Sequence, residues 1–256
     1  MDKKLIVANW KMLPNTLAEA QEILELVNDY LESIGEKKEF SLVFCPPFVF
    51  LEGVGRILKN SHLAHGSFLG AQDIAIDDGG ALTGEVSGPM LRKLGVEYVI
   101  IGHSERRWKL AESDEMINKK LKSALRNELI PIVCIGEKSR DSSFKEFLEQ
   151  QIETTFKDLS SDEIGKCIIA YEPVWAISTN PGAKPDTSAN ALESISIIRE
   201  HLNLKFKIKN LKFLYGGSVN SQNISDFIKE KEINGVLVGG ASVNKEEFVR
   251  VLRHIT

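Results

Sequence analysis

Cysteine is scarce in this chain, with three residues, Cys45, Cys134 and Cys167, among 256. They are odd in number, widely spaced and set in apolar, strand-like contexts. That excludes a disulfide framework and reads as reduced, buried thiols of a cytoplasmic protein. Neither Cys-x-x-Cys nor His-Glu-x-x-His occurs, so no metal site is expected. Long apolar runs are also missing. Nothing approaches a membrane span, and Leu5-Ile6-Val7-Ala8 is too short for the core of a signal peptide. No excess of one charge exists: 32 Lys and Arg stand against 36 Asp and Glu, a formal net charge of −4. This gives no electrostatic reason to expect nucleic acid as a partner. A dinucleotide fingerprint is absent as well, because Gly53-Val54-Gly55 lacks the third glycine and lies in a helical stretch. Asn223-Ile224-Ser225 fits the glycosylation pattern, but without secretion it is a chance match.

What is there is a rhythm. Short apolar runs alternate with amphipathic stretches from end to end. The runs are Leu5–Ala8, Ser41–Cys45, Ser67–Ala71, Tyr98–Ile101, Ile130–Ile135, Lys166–Tyr171, Lys212–Tyr215 and Val236–Val238. Helical patterns follow at 16–33, 49–58, 89–94, 114–127, 144–159, 188–202, 224–229 and 245–252, with Asp186 as the expected cap of the sixth unit's helix. Leu17, Ala20, Ile23, Leu24, Val27 and Leu31 show the helical spacing most plainly. Strict alternation means a parallel sheet. Eight such units of about thirty residues each favour a closed (β/α)8 barrel, an α/β fold, over an open sheet. No linker or composition shift interrupts them, so residues 1–256 are expected to form one domain.

In such barrels chemistry sits at the C-terminal ends of the strands. The sixth strand ends in Glu172, with Pro173 blocking further pairing and a loop with Trp175 and small residues above it. That suits a general base beneath a lid. The alternative is a strand-end carboxylate paired with a cation at the rim. The first strand ends in Asn9-Trp10-Lys11, where an ammonium neutralises a phosphate or oxyanion with Asn9 beside it, unless Lys11 is a plain rim residue. The fourth ends in Gly102-His103-Ser104-Glu105. There the helix-start amides disfavour an imidazolium and leave His103 a neutral electrophile; the alternative is a hydrogen-bonded structural histidine. Arg106 and Arg107, beside Glu105, read as structural ion pairs. Gly216-Gly217 and Gly239-Gly240, after strands seven and eight, let backbone N–H groups approach an anion. A carboxylate base, a neutral imidazole, an ammonium and a phosphate cradle together suit aldose–ketose isomerisation of a phosphorylated sugar, with no cofactor required.

Nearly the whole chain resembles the triosephosphate isomerase family. The matching motifs are Asn9-Trp10-Lys11-Met12, Gly70-Ala71-Gln72, Thr83-Gly84-Glu85, Gly102-His103-Ser104-Glu105-Arg106-Arg107, Cys134-Ile135-Gly136-Glu137, Ala170 to Ile177, and Tyr215-Gly216-Gly217-Ser218-Val219. The resemblance implies Glu172 as base, His103 as electrophile and Lys11 as clamp, with Asn9 and Glu105 assisting. It also implies that Ser178, Ser218, Gly239 and Gly240 hold the phosphate of dihydroxyacetone phosphate or glyceraldehyde 3-phosphate. A homodimer is implied too, with the segment from Gln72 to Glu85 inserting into the partner near Lys11. Four departures stand out: Ser178-Thr179-Asn180 where the family more often has Gly-Thr-Gly, Pro181-Gly182-Ala183 at the lid's hinge, Leu13-Pro14 after Met12, and Asp73 in place of the usual Asn. None of them touches the proton-transfer residues. Another phosphate-binding barrel enzyme, or an inactive scaffold on this fold, is the competing reading.

Overall fold

A computed structural model describes residues 3–35, 39–177 and 182–255. Eight strands form a closed barrel in chain order: β1 (Lys4–Asn9), β2 (Phe40–Cys45), β3 (Ser67–Ala71), β4 (Val96–Ile101), β5 (Ile130–Ile135), β6 (Ile168–Tyr171), β7 (Lys212–Tyr215) and β8 (Gly235–Val238). Every neighbouring pair is parallel, and β8 closes on β1. Both faces of these strands are covered, which is why they read as near-continuous apolar runs rather than alternating ones. Leu5, Val7, Val43, Cys45, Ile132, Cys134, Ala170 and Leu214 point inward and fill the barrel. Their neighbours Ile6, Ala8, Phe44, Val133, Ile169 and Phe213 point outward into a larger core beneath the helices.

The helices are α1 (Leu17–Ile34), α2 (Leu51–Lys59), α3 (Gly88–Lys93), α4 (Ser104–Lys109), α5 (Asp114–Arg126), α6 (Phe144–Thr155), α7 (Ser161–Ile164), α8 (Ser188–Phe206), α9 (Ile224–Ile228) and α10 (Lys245–Arg253). Side chains cap several of them by accepting an orphan N–H. Thr16 accepts from Glu19, Ser113 from Met116, and Asn244 from Glu247. Caps also explain where the structure departs from the expected boundaries. Thr187, not Asp186, caps α8, its hydroxyl accepting from Asn190. The helix expected over 144–159 ends at Thr155, and a separate α7 starts after it at Ser161, behind a capping box of Ser160 and Glu163. The expected helix over 49–58 begins as a 3-10 turn at Phe48–Phe50. The six-residue α4 begins where helix-start amides were expected beside His103, although the spacing had given that helix no bounds.

The segment after β3 is anchored by a buried ion cluster. Lys120 Nζ lies 2.6 Å from Asp73 Oδ2 and 2.5 Å from Glu112 Oε1, and Arg106 reaches both carboxylates at 2.7 and 2.6 Å. Burial pushes the Asp73 carboxyl up in spite of Lys120. Burial also acts on Glu112, but there the bonds from Arg106 and Lys120 outweigh it and hold that carboxyl below the usual range. The partner Asp73 requires therefore comes from its own chain. Arg106 and Arg107 do form structural ion pairs, with these groups and with Asp114 rather than with Glu105.

Candidate active site

Strand parity carries side chains to the barrel mouth. Leu5 and Val7 point inward along β1, and continuing the period of two aims Asn9, then Lys11 beyond the strand, toward the same axis. In β6 the inward positions are Ile168 and Ala170, so the next is Glu172. Its N–H extends the ladder to Ile135 O at 2.8 Å. A cavity of about 270 Å³ opens there, lined by Asn9, Lys11, His103 and Glu172 on one side and by Ser218, Gly239 and Gly240 on the other. The structure thus brings together seven of the nine predicted positions. Glu105 stands behind the wall, its Oε1 2.9 Å from Lys11 Nζ. Burial pushes the Glu105 carboxyl up, but Lys11's hydrogen bond and charge outweigh it and leave it below the usual range. Ser178, with Thr179, Asn180 and Pro181, lies outside the described residues.

His103 is held by its turn. Gly102 adopts φ 70°, and a Cβ there would sit 2.9 Å from the Arg107 guanidinium. That guanidinium donates to Gly102 O at 2.6 Å and to Cys134 O at 2.9 Å, stapling the turn to β5. His103 caps α4, and its Nδ1 accepts the Glu105 N–H at 3.2 Å. An accepting Nδ1 carries no proton, so the ring is neutral with its hydrogen on Nε2. Glu172 is 2% exposed. Its Oε2 accepts the Ser104 N–H at 2.9 Å. Its Oε1 lies 3.1 Å from His103 Nε2 but lacks the alignment of a hydrogen bond and has no bonded partner among the described residues. A carboxylate lone pair and an imidazole N–H therefore stand side by side, neither consumed by the protein.

Two glycines permit this packing. A Cβ at Gly216 would come within 2.8 Å of Glu172 Cγ, and one at Gly239 within 3.1 Å of Lys11 Cε. A Cβ at Gly240 would meet nothing within 4 Å, so that residue's backbone borders open cavity. Ser218 turns its hydroxyl to Ala176 O at 3.0 Å.

A family profile described as triosephosphate isomerase matches residues 4–255. The chain belongs to the triosephosphate isomerase family. A triosephosphate isomerase of Dictyoglomus turgidum is 40% identical over 256 residues, covering 99% of this chain and 100% of that one. One of Aquifex aeolicus is 41% identical over 254 residues, covering 98% of each chain. The crystal structure of triosephosphate isomerase from Bartonella henselae superposes with a TM-score of 0.80 at 31% identity, over 98% of each chain.

Sequence reasoning missed three supporting groups of this family member: the Ser104 N–H that holds Glu172, Arg107 that staples the His103 turn, and Gln72. The Gln72 Nε2 donates to the carbonyls of Lys11 and Cys45 at 2.8 and 2.9 Å. The Gly70-Ala71-Gln72 motif flagged that position without giving it a role.

Proposed function

We infer that this chain, as one barrel domain, interconverts dihydroxyacetone phosphate and D-glyceraldehyde 3-phosphate by proton transfer through an enediolate. The observation that carries the reading is the pairing of the unbonded Glu172 Oε1 with the His103 Nε2, 3.1 Å apart in the cavity wall. Glu172 removes the proton from the carbon next to the carbonyl, and the electron pair moves onto the carbonyl oxygen. His103, neutral, donates its Nε2 hydrogen to that oxygen, and the Lys11 ammonium stabilises the developing negative charge. Glu172 returns its proton to the adjacent carbon, the oxygens exchange their hydrogen through the imidazole, and both side chains end as they began. The substrate's own carbonyl serves as electron sink, so the cycle balances without a cofactor. The phosphate lies against Gly239, Gly240 and Ser218, with Ser178 contributing as the family motif implies. Asn9 and Glu105 position Lys11. A coupled assay with glyceraldehyde 3-phosphate tests this directly. A folded protein with no turnover would point to a scaffold, and turnover of a different phosphorylated substrate to another barrel enzyme.

The protein is read as a cytoplasmic homodimer. Residues 77–85 are exposed throughout, and a long loop in a compact barrel is usually functional. Leu82 in this segment is 49% exposed, and Met12 and Val49, which follow the neighbouring strands β1 and β2, are 91% and 82% exposed. Exposed apolar side chains after three adjacent strands suit an interface. The three free cysteines are buried, which suits a reducing compartment. No helix among the described residues is long and apolar enough to cross a membrane. Sedimentation at micromolar concentration tests the assembly; a species of single-chain mass would refute it.

A further inference from the structure

The segment after β3 leaves the barrel and returns to it as a closed loop. Its two ends are tied together, the Ala75 N–H donating to Val86 O at 2.9 Å, and Ala75 and Ser87 are buried. Between them residues 77–85 are exposed. Within that stretch Asp78 is gripped by α5 of the same chain. Arg126 sets its fork on the carboxylate, with Nε 2.8 Å from Oδ2 and Nη2 3.0 Å from Oδ1, and Nη2 also donates to Ile76 O at 3.2 Å. Asn127 Nδ2 donates to Asp78 Oδ1 at 2.6 Å and to Ser123 O at 2.9 Å. The bonds from Arg126, then that from Asn127, hold the Asp78 carboxyl below its usual range. Asn127 also packs on the returning end of the loop, since a Cβ at Gly88 would lie 2.4 Å from its Cγ. The support is firm, because Ile117, Leu121 and Ala124 bury one face of α5, and Lys120 on the same helix holds Asp73 at the loop's start.

We propose that Asp78, Arg126 and Asn127 form a clasp that presets the exposed loop for docking on a second copy of this chain. Gly79 and Gly80 follow Asp78 directly, and Gly80 has φ 132°, so the backbone there has wide freedom unless something outside it sets its course. A loop that had to be ordered on encounter would oppose association by the freedom it loses. The clasp removes that loss beforehand and carries the exposed Leu82 into place. Water reaches the pair, with 49% of the Arg126 side chain and 41% of Asp78 exposed, so its effect on one loop is small. A two-fold dimer docks both loops, however, and a penalty of about threefold in each multiplies to about tenfold in the dissociation constant. This inference rests on the reading of the chain as a dimer assembled through this loop.

The test is fluorescence-detected sedimentation of the full chain across a dilution series, with circular dichroism confirming that each variant keeps the parent's fold. Asp78→Ala and Arg126→Ala should each weaken the dimer about tenfold. Combining them should add no more than about twofold, because the first substitution has already opened the clasp. Arg126→Lys, which keeps the charge and loses the fork, should recover only part of the affinity. A second readout separates a preset loop from direct contact of Arg126 with the partner. In chains diluted until they separate, hydrogen exchange at the bonded Ala75 and Glu85 amides should quicken by about threefold in both alanine variants. Parental dissociation constants in both alanine variants, penalties that multiply in the double variant, parental exchange at those amides, or loss of fold in either variant would each overturn the clasp. A parent chain that sediments alone at every concentration would instead refute the reading of this loop as a dimer interface.

Discussion

Glu172→Asp removes one methylene from the proposed base and leaves its charge in place. The barrel fixes the Cα, since the Glu172 N–H is bonded to Ile135 O at 2.8 Å and the carbonyl of the preceding Tyr171 accepts the Gly216 N–H at 2.7 Å. The backbone therefore cannot follow the shortened side chain, and the carboxylate retreats by about 1 Å from the carbon acid, a misplacement that costs roughly 100-fold in rate. This corresponds to about 2.8 kcal/mol of transition-state stabilisation. The same retreat breaks the 2.9 Å bond from the Ser104 N–H and leaves a buried donor unsatisfied, at a cost of about 2 kcal/mol. For a chain of this size that lowers the melting midpoint by roughly 4–8 °C at matched protein concentration. Steady-state kinetics should then show kcat down by about 100-fold with KM little changed, since the phosphate cradle is untouched. Substrate deuterated at the carbon that loses its proton should show a larger isotope effect on kcat than in the parent, because proton removal becomes the slow step. A kcat within a few-fold of the parent would refute the assignment of Glu172 as base. An unchanged melting midpoint would refute the claim that the shortened carboxylate abandons the Ser104 N–H.

Four further outcomes are expected. Lys11→Met should keep its fold yet lose turnover by about 100-fold or more, as expected when a preorganised charge at the oxyanion is removed; a folded, active variant in a kinetic assay would make Lys11 a rim residue. Lys120→Met strands Asp73 and Glu112 with one cation between them and should destabilise by about 3–5 kcal/mol in denaturant titrations; a loss under about 1 kcal/mol, the range of an exposed pair, would contradict the buried cluster. In the native state none of Cys45, Cys134 and Cys167 should react with a thiol reagent at about pH 8, just below the ordinary thiol value, because burial raises all three and pushes Cys167 up to about 12; all should react after unfolding, and colour from the native protein would refute this. Glu105 is held below the ordinary carboxylate range, so its contribution to stability is present above about pH 4.3 and is lost as pH falls through the lower folded value. Glu105→Gln should therefore flatten the acid limb of the stability curve, and an unchanged limb would show that the Lys11 pair carries no such linkage.

The sequence by itself determined the architecture. Eight apolar runs with intervening helical patterns leave little choice but a parallel barrel, because each strand must be covered on both faces and each helix on one. It also determined which end carries the chemistry, because residues of like parity past a strand end, such as Asn9 and Lys11, or Glu172 after Ala170, reach the barrel mouth together. Motifs extended this to His103, Ser218 and the paired glycines. Helix boundaries were less legible: Thr187 displaced Asp186 as a cap, and Ser160 started a separate helix, since each depends on hydrogen bonds of single side chains. What only the tertiary structure decided is how the functional groups are held. Gln72 and Lys11 are far apart in sequence, as are Ser104 and Glu172, and no local pattern records that one will donate to the other. The neutral state of His103 likewise needed the observed bond from the Glu105 N–H to Nδ1. Spacing along a chain reports the direction of a side chain, whereas hydrogen-bond partners depend on distances and angles that exist only once the barrel has closed.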